Sequence, residues 1–405
     1  MKFAHLSDTH LGYRQYGLQE REDDFYYTFN SVVDNIIEER VDFVIHSGDL
    51  FETNRPSPKA LLTFQEGLLK LRKANIPIYG ITGNHDTVLR KGFIPPQALF
   101  RKLGFRPLSA KRPSYLEDDI CITGVPYLPK SMKPLLMKKI QEASKKAEEY
   151  KKSIIILHQG IDKYLPFDYE LETGELPTNF NYYAMGHIHN YINEPYGNGK
   201  LVYPGSTEIW KTNELKDYQK NGKGFVLVDM SGDIPETERI KIDLPREFIK
   251  KTVSYNKLLA ELQELKNNII KLKTKPLLDI TVEEGNFSTQ EAFDTVHKVL
   301  DEYTSYIRPH FYPDKIKEEL EIIQNEKTLE PRQLIIKKMS ELENEDVNHL
   351  AVDLFDNLSK NKLPESEKIA ENFFNEYFGD NGLKVSEEDI KKEMETIGVF
   401  KTEDD

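Results

Sequence analysis

Five apolar, β-prone runs in this chain, Phe3–Leu6, Phe43–Ile45, Ile78–Thr82, Ile154–Leu157 and Tyr182–Met185, each lead within four residues into side chains of metal-binding type. The ends read Asp8-Thr9-His10, Gly48-Asp49, Gly83-Asn84-His85-Asp86, His158 and His187-Ile188-His189. Buried strands whose carboxyl ends carry polar residues are where α/β folds place their sites. Taken singly, each end has an ordinary explanation: Asp and Asn after a strand form turns, and a lone His is usually a core or surface residue. That explanation has to hold at five ends at once. Gly83 reads as a turn glycine needing unusual backbone angles.

The donor set has a definite chemistry. Asp8, His10, Asp49, Asn84, His158, His187 and His189 supply carboxylates, imidazoles and an amide oxygen, and no thiolate. This is the mixture suited to hard and borderline divalent ions. A two-ion site for phosphate chemistry places its ions about 3.5–4 Å apart and needs a shared ligand; Asp49, on the strand between those of Asp8 and Asn84, is the natural bridge. His187 and His189 would point to opposite faces of a strand, so they serve two ions only if the chain turns between them. His46 reads as packed within its strand, and His297, His310 and His349 lie outside the constellation.

The chain divides by texture. Residues 1–245 alternate strands and helices, beginning with a strand Lys2–Ser7, a helix over 22–40 and a strand Val41–His46, a βαβ unit with a parallel pair. A second amphipathic helix spans Lys59–Lys73, and Ile94–Leu103 is a short helix. Lys133–Lys151 reads as a solvated surface helix, and Ile161–Phe180 as a candidate active-site loop. Strands at Tyr182–Gly186, Leu201–Tyr203, Phe225–Met230 and Arg239–Leu244 suggest an antiparallel element. Residues 246–313 form a small α/β unit (helix Tyr255–Leu272, strand Leu277–Val282, helix Ser288–Tyr303, strand Pro309–Tyr312). Residues 314–405 read as short apolar-striped helices, Pro331–Leu342, Asp346–Leu358 and Ser366–Phe378, with a last one opening at Ser386 in a capping-box pattern.

Charge follows the same division. Residues 314–405 hold 25 Asp and Glu against 13 Lys and Arg, so nearly all of the net −13 belongs to the tail. The remainder is close to neutral, and bound divalent cations would make it positive, so the acidic total does not exclude a nucleic-acid substrate. The single cysteine, Cys121, reads as a core residue and permits no disulfide framework. With no apolar run long enough to span a membrane and no signal-peptide pattern at the start, a cytoplasmic location is expected.

The order Asp-x-His, Gly-Asp, Gly-Asn-His-Asp, His, Gly-His-x-His resembles the calcineurin-like metallophosphoesterases. Gly48-Asp-Leu-Phe51 with Arg55-Pro-Ser-Pro58, Leu157-His-Gln159, Tyr182-Tyr-Ala-Met-Gly-His-Ile-His189 and Val202-Tyr-Pro-Gly-Ser206 resemble one branch, the Mre/SbcD DNA double-strand-break repair nucleases of archaeal type. The resemblance implies a four-layer α/β sandwich, two mixed sheets flanked by helices, with a capping, DNA-binding domain over 246–313. It implies two Mn2+ per subunit, 3′-to-5′ exonuclease action on duplex DNA and endonuclease action on single strands, with ends and hairpins among the substrates. It further implies a homodimer, a nucleoid-associated location, and an SMC-like coiled-coil ABC ATPase as partner; the apolar stripes of the acidic tail either dock on that ATPase, fold back on the nuclease body or form a small bundle of their own. Carried over, one ion takes Asp8, His10, Asp49 and His189, the other Asp49, Asn84, His158 and His187, and His85 protonates the leaving oxygen. Glu52 departs from the pattern, standing where a second phosphate-contacting histidine is expected; it is either a carboxylate partner of His85 or a solvated loop residue. Two other functions stay open: a phosphatase or cyclic-nucleotide phosphodiesterase on the same metal core, and a mainly structural dimeric platform for the ATPase.

Overall fold

A computed structural model describes residues 1–87, 94–314, 335, 345–359 and 362–378. They group into two compact units, Met1–Val282 with Gln290–Phe311, and Glu283–Thr289 with the described residues from Tyr312 onward.

The first unit is built on two six-stranded mixed sheets. Strands β1 (Lys2–Leu6), β2 (Phe43–His46), β3 (Ile78–Gly80) and β4 (Phe105–Pro107) run in parallel order. On the other side of β1, β11 (Lys223–Asp229) and β12 (Glu236–Ile242) add antiparallel. The second sheet has the order β5 (Ser114–Glu117), β6 (Ile120–Val125), β7 (Lys152–His158), β8 (Tyr182–Gly186), β10 (Gly199–Tyr203), β9 (Ile192–Tyr196), parallel from β6 through β10 and antiparallel at its edges.

Side-chain alternation makes the layers. Phe3, Phe43, Ile45 and Tyr79 of the first sheet meet Ile122, Ile154, Ile156, Tyr182 and Val202 of the second in a dry inter-sheet core. Their neighbours Ala4, Leu6 and Val44 point outward under α1 (Gln19–Glu38) and α2 (Pro58–Lys73), which cover them with Phe29, Val32, Val33, Phe64 and Leu68. Ile155, Leu157, Tyr183 and Met185 are covered by α3 (Lys133–Ala147) through Leu136 and Ile140. Strands buried on both faces read as continuous apolar runs, which is why the five runs stand out. The result is the expected helix–sheet–sheet–helix sandwich.

Two expectations change. The suggested antiparallel element is only half formed: β11 and β12 do pair antiparallel, but in the first sheet, whereas β8 lies parallel between β7 and β10 in the second. Local pattern cannot choose between sheets, because that pairing is decided by contacts across two hundred residues. The lysine-rich α3 is solvated on one side only; Leu136, Ile140, Ala143 and Ala147 are buried.

A third sheet, in the order β13 (Phe248–Ser254), β14 (Leu277–Glu283), β15 (Tyr306–Tyr312), carries α4 (Leu258–Ile269) and α5 (Thr289–Leu300). Its start is tied to α1 by buried charge: Asp24 accepts from Arg246 and from Arg21, both at 2.8 Å. In the second unit, helices Glu345–Leu358 and Leu363–Phe378 pack against each other. The expected helix over 331–342, apart from Ile335, and the one opening at Ser386 lie outside the described residues. No helix among the described residues is long and apolar enough to cross a membrane.

Candidate metal centre

The loops leaving β1, β2 and β3 of the first sheet and β7 and β8 of the second converge at one end of the sandwich, several of them in backbone conformations that side-chain-bearing residues rarely adopt. Asp8, His10, Asp49 and His187 all have positive φ, at 53°, 43°, 52° and 89°. Each such residue costs on the order of 1–3 kcal/mol, and such strain concentrates at functional sites. The first three are held by a ladder between two turns: Asp8 N–H donates to Gly48 O and His10 N–H to Asp49 O, both at 3.1 Å. The buried Asp86 clamps the third turn to the second, accepting from Gly83 N–H (2.8 Å), Leu50 N–H (2.8 Å) and Phe51 N–H (3.2 Å). Burial and the nearby charge of Asp49 push the Asp86 carboxyl up to about 7.

Gly83 is glycine for a reason other than the expected one. It has no positive φ; a Cβ there would stand 2.1 Å from Asp49 Oδ1. Space, not backbone angle, excludes a side chain. At Gly48 both reasons apply, with φ 105° and a Cβ 2.3 Å from His158 Nδ1. The turn at His187 also resolves the alternation problem: His187 reaches Asn84 Oδ1 (2.9 Å), while His189 reaches His10 (3.2 Å between Nε2 atoms).

All seven predicted ligand residues are brought together. Around Asp49 Oδ2 lie His158 Nε2 at 3.2 Å and His10 Nε2 at 3.9 Å; Asn84 Oδ1 is 3.0 Å from His158 Nε2; Asp8 Oδ1 is 3.7 Å from His189 Nε2 and 3.9 Å from His158 Nε2. Asp8, His10 and His189 form one potential metal-holding group and Asp8, Asp49 and His158 another. His85 stands beside them, its own N–H donating to Asp49 Oδ1 at 2.8 Å.

Hydrogen bonding says what these nitrogens face. His10 Nδ1 lies against the Glu52 carboxylate (2.8 Å) and His189 Nδ1 against that of Glu214 (3.0 Å), so each Nδ1–H donates outward. Their Nε2 lone pairs then confront each other. His158 Nδ1–H likewise donates to Ser47 O (2.8 Å), leaving its Nε2 among acceptors of Asp49 and Asn84. Lone pairs converging from two sides repel unless a cation lies between them, and outer-sphere carboxylates and carbonyls of this kind orient metal-binding imidazoles. The residues therefore fit a divalent metal site. Without metal, a proton does the cation's work: burial lowers the His158 pKa, yet the charge and hydrogen bond of Asp49 more than reverse this, to about 9. Burial and His158 hold His187 down at about 4.

Three residues not assigned to metal binding complete the surroundings. Glu52 is no solvated loop residue: its Oε2 takes His10 Nδ1, and its Oε1 is 3.6 Å from His85 Nδ1, which also donates to the Glu52 carbonyl (3.1 Å). Although burial opposes it, those imidazoles hold the Glu52 carboxyl down at about 2. His85 is lowered by burial but raised by Glu52 and Asp49, with a net rise to about 9. Because Glu52 meets Nδ1 of His10, it supports that ring from behind rather than sharing an ion with its Nε2. Glu214 and Trp210, the chain's single tryptophan, went unassigned in the sequence because neither stands at a strand end; a Gly-Ser-Thr-Glu-Ile-Trp turn gives no metal signal.

A two-sheet sandwich with carboxylates, imidazoles and an amide oxygen gathered at the carboxyl ends of its strands defines the calcineurin-like metallophosphoesterases, metal-dependent hydrolases of phosphate esters; this chain is a metal-dependent phosphodiesterase of that class. The calcineurin-like phosphoesterase family matches residues 1–191. Three curated relatives carry the name DNA double-strand break repair protein Mre11. That of Methanococcus maripaludis is 41% identical over 71% of this chain and 80% of its own length. That of Methanocaldococcus jannaschii is 43% identical over 69% and 75%. That of Saccharolobus solfataricus is 35% identical over 70% and 75%. The chain belongs to the archaeal-type Mre11/SbcD family of metallophosphoesterases.

Proposed function

We propose that this protein is a manganese-dependent DNA nuclease of double-strand-break repair, acting 3′ to 5′ on duplex ends and endonucleolytically on single strands. The observation that carries the reading is the confrontation of His10 and His189 through Nε2 at 3.2 Å, each backed by a carboxylate. Two Mn2+ would be held by Asp8, His10, Asp49 and His189 on one side, and by Asp49, Asn84, His158 and His187 on the other. Ions so bound would activate water as the nucleophile and neutralise phosphate charge.

The remaining work falls to the chain. His85 keeps a proton at neutral pH, because its Nδ1–H is taken by Glu52 and its pKa is raised to about 9. Nε2 then carries the second N–H, free to donate to the leaving 3′ oxygen, which is the role of a general acid. His85 is partly exposed, as are Asn84, His187 and His189, so it can meet substrate.

The relatives' name supports DNA as the substrate. Leu62, Leu69 and Leu99 are 53%, 41% and 66% exposed on α2 and the short helix Pro96–Leu103. They offer the apolar surface of a two-fold homodimer interface. Residues 246–313 would cap the DNA, and the acidic helices beyond 314 would dock on an SMC-like coiled-coil ABC ATPase, a helix-in-groove contact. The test is end-labelled duplex DNA with Mn2+, beside a small phosphodiester. Manganese-dependent shortening of the labelled strand is expected. Cleavage of the small ester alone would leave a phosphatase or phosphodiesterase, and cleavage of neither would leave a structural platform for the ATPase.

A further inference from the structure

We infer that Trp210 is a positioning residue for the metal centre, acting through Glu52 on His10. This rests on the metal-dependent reading above and assigns part of the site's ordering to a residue that touches neither metal nor substrate.

The geometry is specific. Trp210 Nε1–H donates to Glu52 Oε2 at 3.3 Å, the same oxygen that takes His10 Nδ1–H at 2.8 Å. The indole also stacks on the His10 ring, with centroids 5.4 Å apart at 28°, and meets the edges of His189 (5.2 Å) and His85 (5.6 Å). One side chain thus touches the imidazoles of two ligands and the general acid, and fixes the carboxylate between two of them.

Its own position is set from the protein interior. Gln15 Nε2 donates to the Trp210 carbonyl at 2.8 Å, and Gln15 Oε1 accepts from the buried Arg21 at 2.8 Å. Arg21 also donates to the Ile209 carbonyl at 3.1 Å. On the following side, Lys211 N–H donates to Glu214 Oε1 at 2.9 Å, the oxygen that takes His189 Nδ1–H. The segment 209–214 therefore buttresses both histidines whose Nε2 atoms face each other. A carboxylate free to rotate would let the His10 ring turn its Nε2 off the metal, and outer-sphere partners of metal-ligating His are typically worth 10- to 100-fold in metal affinity or activity.

The test measures metal, not DNA cleavage, so its failure is distinct from failure of the nuclease reading. Mn2+ is titrated calorimetrically into the full-length chain as wild type, Trp210→Phe, Glu52→Gln and the double variant. Phenylalanine keeps a ring over His10 but removes the N–H donor together with part of the indole's ring surface. Each single variant is expected to bind the ion on the His10 side about tenfold more weakly. The double variant should match Glu52→Gln alone, because members of one hydrogen-bond network do not add. As the only tryptophan, Trp210 should also change its emission on Mn2+ addition in the wild type, with the same midpoint. Wild-type affinity in Trp210→Phe at unchanged Tm, or losses that add in the double variant, would overturn the inference. If Trp210→Phe fails to fold, wild-type affinity in Glu52→Gln overturns it equally.

Discussion

Replacing Gly186 with alanine adds one methyl group at the end of β8, where the backbone φ is ordinary for any residue. The effect is therefore one of space alone. The new Cβ would lie 2.2 Å from Ser47 O, 2.4 Å from Ser7 Oγ and 2.7 Å from His158 Nδ1. Two of these atoms form the 2.8 Å hydrogen bond that aims His158 Nε2 inward. Overpacking of this kind typically costs 1–3 kcal/mol, and a buried hydrogen bond about 1 kcal/mol net. A total of roughly 2–4 kcal/mol is expected, or a Tm lowered by about 3–6 °C for a unit of this size. With His158 turned, Mn2+ affinity should fall about 10- to 100-fold. Differential scanning calorimetry and Mn2+ titration read both effects, with Gly174→Ala as control, since a Cβ there meets nothing within 4 Å. A Gly186→Ala protein with wild-type Tm and wild-type metal affinity would refute the packing described at this edge.

Asp49→Ala should lose bound metal, whereas His85→Ala should keep it and lose turnover; plasma emission spectrometry of the purified variants separates the two, and a metal-free His85→Ala protein would reverse the assigned roles. His158, raised to about 9 without metal, holds a proton at neutral pH that Mn2+ must displace. Affinity should therefore rise with pH from 6 to 9, and calorimetry in buffers of different ionisation enthalpy should register proton release; a flat profile contradicts this. Leu62→Glu with Leu69→Glu should give folded monomers with weaker DNA binding by light scattering and gel shift; persistent dimers move the interface elsewhere. Truncation after residue 330 should leave manganese-dependent cleavage nearly intact and abolish co-purification with the ATPase; full-affinity binding by the truncated protein excludes the tail as docking element.

The candidate centre was legible because its residues sit at strand ends, where a local pattern of apolar residues announces each position. Asp8, Asp49, Asn84, His158 and His187 need only that pattern and strands of two packed sheets ending on the same side. The surroundings were not legible for the opposite reason. Glu214 reaches His189 from 25 positions away, and Trp210 reaches Glu52 from 158, through a turn without periodicity. Glu52 was noticed as an anomaly, but only geometry shows that its closest imidazole is His10 rather than His85. Among the strands, β13 was missed because Phe248–Ser254 is polar along much of its length and half-exposed. The parallel pairing of β8 with β10 was hidden by their short separation, which ordinarily signals a hairpin; β9 takes that hairpin role instead, antiparallel to β10.

The most direct measurement is anomalous diffraction at the manganese edge from crystals grown with Mn2+. Two peaks about 3.5–4 Å apart are expected, sharing Asp49, one beside His10 and His189 and the other beside His158, His187 and Asn84. A single peak, or manganese bound away from Asp49, would contradict the two-ion centre.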